Sequence, residues 1–228
     1  MFNLNTLSHK QIVNYLRVMY PLWMIVGMFS LLYIPSLIIG ENAAETANNI
    51  IQNETTFRLG IASGLITQLF QVVVVLFIYK LFASIDSAYS KFLVISALVG
   101  VPISMASYVF KLGAIELVHG GSYLSSFDTA QLQSLAMYAF NLSEHMVEIA
   151  SIFWGIWLLP IGYLVIKSKY MPKFIGWALY AGGIGYLISA FTNFIMPDAE
   201  VLLSLAEVLT FGEMIFIFWL LFRGIKTK

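Results

Sequence analysis

The side chains best equipped for chemistry stand in one short stretch: Asn141, Glu144, His145 and Glu148, with Gly155 two turns further on. At about 100° per residue a helix gathers all five within roughly 100° of arc, so they form one polar stripe. Two carboxylates and an imidazole on adjacent turns are ligand types for zinc or another divalent metal. The same types relay protons or hold a cationic solute. The spacing matches neither the His-Glu-x-x-His motif of zinc hydrolases nor the Glu-x-x-His motif of di-iron bundles. Metal ligation by Glu144, His145 and Glu148 is therefore the weaker chemistry, and no cofactor is predicted.

Other polar residues recur at helical spacing. Gly100, Ser104, Ser107, Tyr108 and Lys111 share a second face, and Ser63, Thr67, Gln68 and Gln71 group on a third. Thr192 and Asn193 close one apolar run, while Ser204, Glu207, Thr210 and Glu213 wind gradually around another.

The elements that must position these groups are set by an apolar chain. Of its 228 residues, 60% are hydrophobic and 11% charged, and the mean hydropathy is +0.85. Soluble domains have about 45–50% and about 25%, so too little polar surface remains to cover a water-soluble globule. The same composition excludes a disordered chain. The absence of cysteine removes disulfide and thiolate chemistry, and a net charge of zero gives no footprint for nucleic acid.

A helix crossing about 30 Å of hydrocarbon needs roughly 20 apolar residues. Six such runs are predicted, at about 18–40, 59–82, 92–114, 146–166, 174–196 and 201–222, which makes residues 1–228 one all-α transmembrane domain. Lys10, Arg17, Lys80, Lys91, Lys167, Lys169, Lys173, Arg223, Lys226 and Lys228 fall on one side of these spans, and only Arg58 and Lys111 on the other. Cytoplasmic loops carry the basic excess, so both termini are expected in the cytoplasm. The first run is too long for a signal peptide and no small-residue cleavage site follows it. Before it, Ser8 with Gln11 reads as a capping box, opening a short amphipathic helix anchored by Tyr15, Tyr20 and Trp23.

Small residues mark where lipid-embedded helices approach closely. Gly60 with Gly64, Ala178 with Gly182, and Ala181 with Gly185 are such pairs, and Pro35, Pro102 and Pro160 are expected to bend their spans. Neither inverted repeats nor broken helices, the usual signs of a transporter, are evident.

Heights follow from a rise of 1.5 Å per residue. Glu148 stands about 28 Å above Lys167, Lys111 about 30 Å above Lys91, Arg58 about 33 Å above Lys80, Asn193 about 30 Å above Lys173 and Glu207 about 24 Å above Arg223. These groups share one outer layer. They form either a closed network, in which Lys111 or Arg58 pairs with Glu144, Glu148 or Glu207, or a polar pocket open to the outside. Glu213, only about 15 Å from Arg223, lies near mid-bilayer and calls for a hydrogen-bond partner on a neighbouring span or for water.

The stretch ENAAETANNIIQNETTFRLG at 41–60 resembles the first outer loop of a bacterial membrane family described as domain of unknown function 4386. The block IFWGIWLLPIGYLVIKSKYMPKFIGWALYAGGIGYLI at 152–188 and the end GEMIFIFWLLFRGIK are similar to its later spans. The resemblance implies a multi-pass protein of a bacterial inner or plasma membrane and assigns no catalytic residue. The leading expectation is a small-solute or proton-linked membrane factor with the lipid bilayer as its surroundings. The alternatives are a membrane-embedded metal-dependent hydrolase and a structural or partner-binding bundle, with oligomeric state left open.

Overall fold

A computed structural model of the chain describes residues 7–225. Lys226 and Lys228 of the basic set lie outside the described residues. The described residues are helical and contain no strand. In order they form α1 (His9–Met28), a π-helical segment (Phe29–Tyr33), α2 (Ile34–Ile38), α3 (Ala43–Gln52), α4 (Glu54–Phe82) and α5 (Ser87–His119). A short 3-10 turn (Ser122–Leu124) leads to α6 (Thr129–Ser168), α7 (Lys173–Ile195), α8 (Glu200–Thr210) and α9 (Gly212–Phe222). Among the described residues, six segments are long and apolar enough to cross a membrane: His9–Ile38, Glu54–Phe82, Ser87–His119, Thr129–Ser168, Lys173–Ile195 and Glu200–Phe222.

Polar side chains set several of the helix starts. Ser8 and Gln11 exchange bonds across the first turn, Ser8 N–H to Gln11 Oε1 at 2.9 Å and Gln11 N–H to Ser8 Oγ at 3.3 Å. Asp128 and Gln131 do the same before α6, at 2.9 and 2.8 Å. Asn42 accepts from Glu45 N–H at 2.9 Å and opens α3, a helix inside the stretch expected to be a polar loop. At the other ends, Gly120 after α5 and Gly224 after α9 take φ of +63° and +68°, left-handed conformations that cost glycine little.

Three expectations need correction. The amphipathic stretch is not a separate helix, because α1 runs without interruption from His9 to Met28. Tyr20 is not an interface anchor: it is 0% exposed, with its ring against Phe216. Broken helices are present. The first membrane-length segment carries the π-helical turn just before Pro35, and the last is divided at Phe211 into α8 and α9. By contrast, α5 and α6 continue through Pro102 and Pro160.

The chain divides into two compact units. Unit 1 comprises Met1–Leu22, Phe70–Val101 and Glu148–Lys228, and unit 2 comprises Trp23–Leu69 and Pro102–Val147. The core of unit 2 joins Ile34, Ile38, Ile50, Phe57, Ile61, Tyr108, Ile115 and Phe140, with Phe57 and Phe140 stacked at 6.0 Å. Its Gly60 and Gly64 do not bring two backbones together. Gly60 makes room for the Ile34 side chain and Gly64 for the Tyr108 ring.

In unit 1, α6 and α7 meet at paired glycines. A Cβ on Gly155 would lie 2.7 Å from the Gly183 carbonyl oxygen, and one on Gly183 would lie 2.8 Å from that of Gly155. Gly162 and Gly176 repeat the arrangement at 2.8 and 2.6 Å. Gly155 thus serves this seam as well as the polar stripe to which its spacing assigned it.

Candidate functional site

Lys111 is the only charged residue among the buried polar groups of the described chain, at 2% exposure. It stands on α5 beside the unit 2 core. Its Nζ lies 3.2 Å from Glu144 Oε1 of α6, 5.1 Å from the centre of the Phe140 ring and 5.7 Å from that of Tyr108. An unpaired ammonium in such apolar surroundings is costly, so a carboxylate and two ring faces are the partners that burial demands. Glu144 is 39% exposed, so the pair can be reached from one side.

Hydroxyls surround the same face. Tyr108 Oη and Ser30 Oγ are 3.2 Å apart, tying α5 to the π-helical turn, and Ser107 Oγ donates to the Ser104 carbonyl at 2.7 Å. Ser104 Oγ, Ser143 Oγ and Gln68 Oε1 are buried without a hydrogen-bond partner in the protein. Ser104 lies seven residues before Lys111, two turns along one face, and Ser143 adjoins Glu144.

Arg58 joins a different set. Its Nε donates to Glu54 Oε1 at 2.7 Å, and Glu54 Oε2 is 2.7 Å from His119 Nε2, linking the start of α4 to the end of α5. Beside it Tyr123 Oη donates to Glu116 at 3.3 Å, and that carboxylate pushes the phenol above its usual range. Arg58, Ile115, Glu116, His119, Gly121 and Tyr123 line a shallow depression of about 360 Å³. Sequence reasoning missed this group because it ended the third span at Ala114, whereas α5 carries its helical face on to His119.

The other candidates belong to both units. Asn141 and His145 are exposed on unit 2. Glu148 and Asn193 are partly buried in unit 1, and Glu207 is exposed there. Glu213, also in unit 1, accepts a hydrogen bond from Tyr20 Oη at 2.6 Å. Among the described residues no three histidines or carboxylates come together as metal ligands, and Glu144 faces Lys111.

The model of the family described as Domain of unknown function (DUF4386) matches residues 18–224. The chain belongs to this family. A protein of Archaeoglobus fulgidus (strain ATCC 49558 / DSM 4304 / JCM 9628 / NBRC 100126 / VC-16) described as "Uncharacterized protein" is 34% identical over 104 residues. That stretch is 46% of this chain and 60% of the relative, so the chain spans less than two thirds of the relative's length. No solved structure matches the chain. As a DUF4386 member it is a multi-pass membrane protein with six apolar helical segments able to span a bilayer.

Proposed function

We propose that this DUF4386 protein binds a small polar solute in a plasma membrane, at the Lys111–Glu144 pair. The observation that carries the reading is the difference in exposure between the partners, 2% for Lys111 and 39% for Glu144. A lysine ammonium has three donors, and one carboxylate oxygen at 3.2 Å leaves capacity for a further oxygen acceptor. The half-exposed carboxylate offers acceptors for a hydroxyl or amine of the same solute. Ser143 and Ser104 add polar atoms without protein partners. Basic-residue asymmetry supports an outward-facing site.

The competing reading is a structural ion pair that only closes the bundle. A thermal-shift screen of amino acids, polyols, sugars and small carboxylates against purified full-length protein separates the two. A solute at a hundredfold excess over its Kd stabilises the folded state by about 2.7 kcal/mol. We expect at least one solute to raise the melting midpoint of the wild type, with the shift lost in Lys111→Met and reduced in Glu144→Gln. No shift with any solute, or equal shifts in wild type and both variants, would overturn the proposal.

A further inference from the structure

The deepest acid predicted from the sequence stands where its helix is broken. α8 ends at Thr210 and α9 begins at Gly212, with Glu213 in the first turn of α9. At the break the Phe211 N–H turns back to Val208 and Leu209, and the Met214 N–H donates to the Phe211 carbonyl at 3.0 Å, a three-residue step in place of the four-residue helical one. The Thr210 hydroxyl donates to the Glu207 carbonyl at 2.6 Å. α7 lies against this joint. A Cβ on Gly182 would be 3.4 Å from the Glu213 nitrogen, one on Gly185 would be 2.7 Å from the Ala206 oxygen, and one on Gly212 would overlap the Ala178 carbonyl.

Into this joint α1 brings a phenol. Tyr20 is 0% exposed and its hydroxyl donates to Glu213 Oε1 at 2.6 Å. That length falls in the range of about 2.5–2.7 Å for an O–H bond to a charged oxygen. One turn before it, Arg17 is committed elsewhere, its Nε and Nη2 donating to the Leu221 carbonyl at 3.0 and 2.8 Å. Among the described residues no basic side chain forms an ion pair with Glu213. The titratable groups around it are Tyr20 from α1 and Tyr186 from α7, whose ring meets Trp154 edge-on at 6.1 Å, while Glu207 of α8 is exposed.

We propose that the Glu213 carboxyl, held by Tyr20 at the α8–α9 break, is a proton-binding site. Uptake transfers one proton from hydronium to one carboxylate oxygen, forming its O–H bond as an O–H bond of hydronium breaks to leave water, and release is the reverse. In the charged form the Tyr20 O–H donates to the carboxylate. In the neutral form the carboxyl gains a donor of its own, and the break lets the backbone adjust to receive it, because the joint is not locked in one continuous ladder. The site is built from unit 1 alone and does not rest on the solute-binding reading.

Dicyclohexylcarbodiimide, an apolar reagent that attacks protonated carboxyls, tests the site on full-length protein in detergent over pH 5–9, with peptide mass spectrometry as the readout. Glu213 is expected to be modified by this reagent and spared by a water-soluble carbodiimide, with labelling falling at least tenfold from the acid to the alkaline end. Glu213→Gln must remove that label. Tyr20→Phe keeps the ring against Phe216 and removes a bond to the charged form, so labelling at neutral pH should rise at least threefold. The wild-type series needs no variant to fold. Absence of labelling at every pH, labelling independent of pH, or a Tyr20→Phe profile identical to wild type would overturn the proposal.

Discussion

Asp86 shows how much one side chain outside the apolar segments can organise. Its Oδ1 accepts from the N–H groups of Ala88 and Tyr89 at 3.1 and 3.3 Å and starts α5, while its Oδ2 accepts from Lys167 at 2.7 Å and Tyr163 at 3.4 Å near the end of α6. The Lys167 ammonium, helped by the Tyr89 N–H, holds its carboxyl below the ordinary 3.8. A carboxylate whose pKa is depressed by folding contributes stability above its unfolded value and loses it as pH falls through the folded one. Asp86→Asn keeps a competent cap but loses the ion pair, so its melting midpoint should lie a few degrees below wild type at pH 7. The difference should narrow below about pH 4, as linkage requires. A constant difference from pH 7 to pH 3 would remove the ion pair from the explanation. Pairings of this kind were only partly legible in the sequence. Helical heights allowed Lys111 to meet Glu144, yet gave no means of choosing Glu54 for Arg58 or Tyr20 for Glu213. Partner choice depends on how helices rotate about their own axes, and aromatic residues such as Tyr20 suit an interface and a core equally well.

The helices themselves were legible because lipid imposes a length and an apolar content that composition reports directly. Their interruptions were not. No proline marks Phe211. The break coincides with Gly212, where the α7 backbone comes too close for any side chain, and with a threonine that bonds back to its own helix. Packing was legible in part: Ala178, Gly182 and Gly185, spaced about one turn apart, do lie against the backbone of α8 and α9, whereas the backbone contacts of α6 and α7 recur seven apart, at Gly155 and Gly162 against Gly183 and Gly176, a spacing that the one-turn pattern of small residues does not pick out. Seven residues are close to two full turns, so each helix returns the same face to the other. Since a backbone carbonyl blocks each position, joined at Gly183 by the Leu159 side chain, Gly162→Ala and Gly183→Ala should each destabilise unit 1 by about 1–3 kcal/mol. Gly113 of α5 meets nothing within 4 Å of a built Cβ, and there alanine should be neutral or stabilise by up to about 1 kcal/mol. Melting midpoints of the three variants in one detergent test the assignment. Equal effects at all three positions would show that helix propensity, not contact, governs them.

At the scale of the whole molecule, charge and membrane sidedness are linked. Lys10, Arg17, Lys80, Lys91, Lys167, Lys169, Lys173 and Arg223 all belong to unit 1, whereas unit 2 has Arg58 and Lys111, of which one is tied to Glu54 and the other buried against Glu144. Translocating lysine and arginine is disfavoured, so the side bearing the basic excess is expected to stay in the cytoplasm. The absence of native cysteine makes the proposal directly measurable, because any engineered thiol is the only one in the chain. Cysteines replacing Asn49 in α3 and Gln131 in the first turn of α6 should react with a membrane-impermeant maleimide in intact cells. A cysteine replacing Ser168, at the far end of α6, should react only after the membrane is opened. Since α6 spans 40 residues, Gln131 and Ser168 are about 55 Å apart along one helix at 1.5 Å per residue, too far to share a face of the bilayer unless α6 fails to cross it. Labelling of both from outside would therefore refute the crossing itself. The exchanged pattern would keep the crossing but turn the Lys111–Glu144 pair toward the cytoplasm, and with it the compartment from which a solute would have to come.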